Sequence, residues 1–128
     1  MLPMTREWVA KAESDYDGAC EALRSRKQSR RDRICFFSQQ CVEKYLKARL
    51  TEAGVAFPRT HELSILLQLC LPVEPRWAAF DQALAAMTQF GVLVRYPGTW
   101  ATLGEAQHGV HTCRRFRSIA RRALGLRP

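Results

Sequence analysis

The segment that most constrains this chain is Asp32 to Ala53, DRICFFSQQCVEKYLKARLTEA. Ile34, Phe37, Cys41, Tyr45 and Ala48 recur at helical spacing and form one apolar stripe. Cys35, Val42, Leu46 and Ala53 form a second. Two stripes on one helix need neighbours on two sides, so this segment is expected to be the central helix of a bundle. Gly54 is its expected stop, because a helix readily ends on a glycine in the left-handed conformation. What remains polar is a narrow sector: Gln40, Glu43, Lys44 and Lys47. On a helix these four positions are contiguous. Glu43 precedes Lys47 by four residues, an ion-pair orientation worth a few tenths of a kcal/mol on a wet surface. The sector is therefore either a solvated stripe or a polar surface enclosed by a neighbour. In the second case its groups must find partners, since unpaired buried polar groups are expensive.

Helical spacing dominates the rest of the chain. A first helix is expected from Thr5 to Arg26, with Thr5 as N-cap and Val9, Ala12, Tyr16, Ala19 and Leu23 inward. Glu13, Asp17 and Glu21 fall on another face. Thr60 is expected to cap a helix through Leu71, ended by Pro72, with Leu63, Leu66, Leu67 and Cys70 inward. Glu74-Pro75 opens another, whose apolar face is Trp77, Phe80, Leu84, Met87 and Phe90. Gly91, Pro97, Gly98 and Gly104 break the pattern, and Thr102-x-x-Glu105 reads as a capping box that starts the last helix. That helix runs to Leu124, with Ala106, Val110, Cys113, Phe116 or Arg117, Ala120 and Leu124 inward. Arg114, Arg115, Arg121 and Arg122 are expected outward. No segment reads as a strand. The expected fold is all-α: one domain, residues 1–128, built as an up-and-down bundle of four to five helices, with short connections making successive helices antiparallel.

Charge is unevenly placed. The chain carries a net charge of +8, and of its 20 Lys and Arg, six fall between Arg24 and Arg33 against the single acid Asp32. Six more fall between Arg114 and Arg127 with no acid. Such patches attract phosphates or acidic protein surfaces, and they also serve plain solubility. The five cysteines form no C-x-x-C pair and are read as small buried hydrophobes, so neither a disulfide framework nor a metal site is indicated. The opening Met1-Leu2-Pro3-Met4 predicts no secretory leader. The longest uncharged run, Gln82 to Val94, is too short to span a membrane. A cytoplasmic protein is expected.

Several elements, in order, resemble the HEPN domain, the nucleotide-binding domain of higher eukaryotes and prokaryotes. They are Phe36/Phe37, Gln39-Gln40, Glu43-Lys44, Leu46-Lys47-Ala48 and, after a loop, Thr60-His61-x-Leu63. Asp15 in the first helix and Arg95-Tyr96-Pro97 before the last helix are similar to further elements of that family. The resemblance spans nearly the whole chain. It implies an all-helical bundle that dimerises and binds a nucleotide or RNA. It also implies kinship with small stand-alone bacterial members that work beside a minimal nucleotidyltransferase, often as toxin–antitoxin pairs. Candidate ligand contacts are Gln40, Glu43, Lys44, Lys47, His61, Arg95 and Tyr96. Arg95 is suited to hold a phosphate and Tyr96 to stack on a base. No cofactor is expected.

Some HEPN domains cleave RNA without a metal, using an Arg, four to six intervening residues and a His. The His, or a ribose 2′-hydroxyl, serves proton transfer and the Arg stabilises the phosphate. Here the positions five to seven before His61, His108 and His111 hold no Arg, and no catalytic residue is assigned. His108 and His111 are expected at the surface or an interface. The leading expectation is thus a non-catalytic module that binds nucleotide, RNA or a partner protein. One alternative is a divergent ribonuclease assembled across a dimer interface, with His108 or His111 as base and Arg95 or Arg114 on the phosphate. The other is a purely structural interaction bundle whose polar sector is satisfied internally.

Overall fold

The computed structural model describes residues 1–91 and 97–128, apart from the side chains of residues 90 and 91. The expectations for Arg95, Tyr96 and the Phe90 side chain lie outside the described residues. Five α-helices follow one another: α1 (Pro3–Leu23), α2 (Arg31–Glu52), α3 (Leu63–Cys70), α4 (Asp81–Gly91) and α5 (Leu103–Ala123). Short 3-10 turns at Gln28–Arg30 and Pro75–Phe80 lead into α2 and α4. Among the described residues there is no strand, and no helix is long and apolar enough to cross a membrane.

α2 is the central helix. Buried positions run all round it, among them Ile34, Cys35, Cys41, Val42, Tyr45, Leu46, Ala48 and Leu50. α1 and α2 form an antiparallel hairpin, with Thr5 beside Glu52 at one end and Gly18 beside Phe37 towards the other. α5 lies along both in the same sense as α2, its Gly109 against Cys35 and Ser38. Trp77 and Phe80 close the far side by packing edge-on against Phe116, with ring centroids 4.9 and 5.4 Å apart.

The link from α2 to α3 departs from the rule that short connections join antiparallel neighbours. His61 returns to the level of Gln39, and α3 then runs in the same sense as α2, bringing Cys70 to Leu46 and Glu74 to Arg49. The link can turn back at once because Gly54 sits at φ +70°. Val55 N–H then donates to Leu50 O at 2.9 Å and Gly54 N–H to Thr51 O at 3.1 Å, which is the Schellman closure.

Two expected helix starts move. Thr5 is no N-cap: α1 begins at Pro3, and the buried Thr5 hydroxyl donates to Glu52 Oε1 at 2.9 Å. Leu2 N–H donates to the same oxygen, so a carboxylate at the end of α2 does the capping across the bundle. Thr60 caps only a turn, accepting from Glu62 N–H, and α3 starts at Leu63. The capping box is present: Thr102 Oγ1 accepts from Glu105 N–H while Glu105 accepts from Thr102 N–H.

Candidate functional site

The polar sector of α2 is enclosed. The link 54–62 lies over it and α1 flanks it. Glu43 is 3% exposed, and each of its carboxylate oxygens has a partner: Oε2 accepts from Lys47 Nζ at 3.2 Å and Oε1 lies 2.8 Å from His61 Nδ1. Lys47 is 9% exposed and its ammonium lies 5.5 Å from the Trp8 ring centroid and 6.0 Å from that of Phe57. Those rings meet edge to face at 6.3 Å. A desolvated ammonium between a carboxylate and two aromatic faces is well stabilised where it stands. Gln39 Nε2 donates to His61 O at 3.0 Å, and Gln40 Nε2 donates to Gln39 Oε1 at 2.7 Å. Lys44 pairs with Asp15 on α1. So Gln40, Glu43, Lys44, Lys47 and His61 are brought together, chiefly by bonding to one another and to α1. His61 alone reaches well into solvent, with a side chain 70% exposed.

A second charged cluster joins α1, α2 and α5. Glu13 accepts from Arg117 Nε and Nη2 at 2.7 and 2.6 Å and from the Tyr45 hydroxyl at 2.5 Å. Arg121 Nη1 donates to the Tyr45 oxygen at 3.1 Å. Arg121 therefore turns inward, where the helical pattern placed it outside, because the buried Tyr45 hydroxyl and Glu13 draw it there. Burial raises the Glu13 carboxyl, but the hydrogen bonds from Arg117 and Tyr45 and the charges of both arginines outweigh it and hold it below its ordinary value. Burial and the Glu13 contact push the Tyr45 hydroxyl up. The Arg117 guanidinium also lies 4.3 Å from the Tyr16 ring centroid. These contacts bind three helices into one unit.

The basic stretch after α1 behaves differently. Arg24, Arg30 and Arg33, with Ser25, Gly18, Glu21, Ala22 and Phe37, line an open hollow of about 570 Å³ where the α1–α2 hairpin closes. None of the three arginines is in an ion pair among the described residues. Gly18, one of its lining residues, lets Phe37 come close to α1: a Cβ there would stand 3.1 Å from three atoms of the Phe37 ring. The charge run was visible in the sequence. That it surrounds a cavity floored by an aromatic ring was not, since this depends on the hairpin bringing Gly18 to Phe37.

The family model described as the HEPN domain matches residues 5–123. The chain belongs to the HEPN family. No curated protein and no solved structure gives a match. Membership carries a nucleotide- or RNA-related role. In this HEPN domain His108 is half-buried, its Nε2 3.2 Å from Ala83 O, so that nitrogen must carry the proton. His111 and Arg114 are exposed on α5. Four cysteines are buried and Cys20 is half-buried. Burial, then the neighbouring Cys113 thiol, keeps Cys41 well above its ordinary pKa, and burial pushes Cys70 up to about 12, so these thiols stay protonated. Among the described residues no three His, Cys, Asp or Glu come together as a metal site would require.

Proposed function

We propose that this HEPN domain is a non-catalytic module that binds a nucleotide or RNA, with phosphate held by Arg24, Arg30 and Arg33 in the hollow at the closed end of the α1–α2 hairpin. One observation carries it: these guanidiniums are unpaired around a cavity, whereas Lys44 and Lys47 are already neutralised by Asp15 and Glu43. A phosphate entering the α2 sector would have to displace a carboxylate from its ion pair. In the hollow the one lining acid, Glu21, is in no ion pair with the three arginines among the described residues, and they outnumber it. The Phe37 ring lines the hollow beside the three cations, and an aromatic ring beside cations is the pairing that single-stranded nucleic acid uses. The exposed His61 and the α2 sector form a secondary contact region in this proposal. The resemblance to small stand-alone members supports its remaining part: a cytoplasmic homodimer working beside a nucleotidyltransferase, in a toxin–antitoxin setting.

The test is binding of ATP and of a short labelled single-stranded RNA across a salt series, with Arg30→Ala/Arg33→Ala beside wild type. Each lost phosphate contact flattens the log–log salt slope by about 0.7. The expected result is a weaker, flatter dependence in the double variant with the RNA left intact on a gel. Unchanged affinity and slope would remove the hollow from the proposal, and cleavage products would remove the non-catalytic assignment.

A further inference from the structure

The 24–33 bridge has a second side. Across it lies a groove of about 380 Å³ between the end of α1, the start of α2 and the first turns of α5. Its floor is aliphatic, Leu23, Ile34 and Ala106, and Leu103 stands at its lip. Its rim carries Arg26, Lys27 and Arg31, and no acid lines it. None of the three is in an ion pair among the described residues. The bridge thus divides its six cations, three to each cavity, and Ser25 borders both.

The two cavities differ in what they can recognise. The first has an aromatic floor beside its arginines, suited to a base and its phosphate. The second has no aromatic lining residue, so it offers a base nothing to stack on. It offers instead an apolar slot of ligand-pocket size, ringed by unneutralised positive charge. Leu103 at the lip is 53% exposed, so its apolar side chain is open to a ligand in the groove. Gln107, also lining the groove, can both donate to and accept from a peptide backbone. The geometry points to a docking groove for a segment of a partner protein that carries a bulky apolar side chain flanked by carboxylates. The apolar anchor fills the slot over Leu23, Ile34 and Ala106, and the carboxylates meet Arg26, Lys27 and Arg31. Charge complementarity selects the partner: a neutral apolar peptide leaves three cations unmatched, and a basic one is repelled.

The probe is a short fluorescein-labelled peptide with a central leucine–phenylalanine pair flanked by glutamates, titrated into the full chain. Amide shifts of the 15N-labelled protein locate where it binds. Leu103→Glu is the informative variant, because the side chain is exposed and an acid is tolerated in the first turn of a helix. The expected result is amide shifts at Leu23, Ile34 and Ala106. Affinity should fall about tenfold or more for Leu103→Glu and for the peptide with alanines in place of its apolar pair, the loss of one buried anchor. Arg33→Glu, in the other cavity, should cost less than Lys27→Glu. An all-alanine peptide that binds as well would overturn the proposal, as would an Arg33→Glu effect at least as large as that of Lys27→Glu. So would no binding at millimolar peptide, or a short RNA that shifts the same amides and displaces the peptide.

Discussion

Lys47→Met separates the two roles open to the α2 sector. Methionine keeps the apolar stem and removes the ammonium. Three contacts go with it: the 3.2 Å bond to Glu43 and the approaches of 5.5 and 6.0 Å to Trp8 and Phe57. A hydrogen bond to a charged partner contributes about 1.5–3 kcal/mol. A cation near the outer distance limit of an aromatic ring, as here, adds about 1 kcal/mol, at the low end of the range. Glu43 keeps only His61, in a setting where it is 3% exposed. The expected loss is therefore about 2.5–4 kcal/mol, a large part of the roughly 5–15 kcal/mol that holds a domain together. With a urea m-value of about 1.5–2 kcal/mol/M, the midpoint falls by about 1.5–2.5 M. The assay is urea unfolding followed by circular dichroism at fixed protein concentration, with RNA binding measured on the same samples. A Glu43→Gln/Lys47→Met cycle should recover much of the loss, because the double variant leaves no unpaired charge. An unchanged midpoint together with lost RNA binding would refute a structural role for the Glu43–Lys47 pair and make Lys47 a primary ligand contact.

Other expectations concern the packing and the pH response. Gly109→Ala should stabilise by about 0.5–1 kcal/mol, since its Cβ would meet Ser38 and Cys35 at an ordinary 3.7–3.8 Å and a helix-interior glycine is entropically costly. Gly18→Ala should stabilise less than Gly109→Ala, because the Phe37 ring, 3.1 Å from the new Cβ, must give by a few tenths of an ångström; paired thermal melts check both. Glu13 is held below its ordinary 4.5, so its contribution is full above that pH and is lost as pH falls through the lower folded value. Acid titration of wild type against Glu13→Gln should therefore show a steeper loss below about pH 4.5 in wild type, and parallel curves would contradict a stabilising role for the Glu13–Arg117 pair. Thr102→Ala should cost about 0.5–2 kcal/mol by removing one half of the capping box, read as a shift in urea midpoint.

Periodicity alone located α2 as the central helix, since two apolar stripes on one segment have no other use. The same pattern could not say what meets the sector between them. Lys47 becomes buried because Trp8, thirty-nine positions upstream, and Phe57, ten downstream, converge on it. Neither spacing is a helical one. Thr5 failed as a cap for a related reason. Local rules see its hydroxyl and the following turn, while Glu52, its actual partner, is adjacent only after the hairpin closes. The capping box at Thr102 succeeded because both partners lie within one turn.

Arg121 and the basic bridge show where charge patterns mislead and where they inform. An arginine placed outward by the helical wheel is long enough to turn back to Glu13 and Tyr45, which only tertiary structure supplies. The arginines at 24, 30 and 33 stay unpaired because the bridge carries a single acid, Asp32, which accepts instead from Ala101 N–H at 2.7 Å. That bond explains a distinction composition cannot make. With its own acid turned towards the start of α5, the bridge presents three cations to each cavity, against one lining acid, Glu21, in the first and none in the second. The same residue docks the start of α5 beside the second groove, so Asp32→Ala, which removes the acceptor, would loosen the groove at Leu103 and Ala106 while leaving the arginine hollow in place. RNA binding should then persist while the acidic peptide weakens, and equal loss of both would mean that the two cavities act as one site.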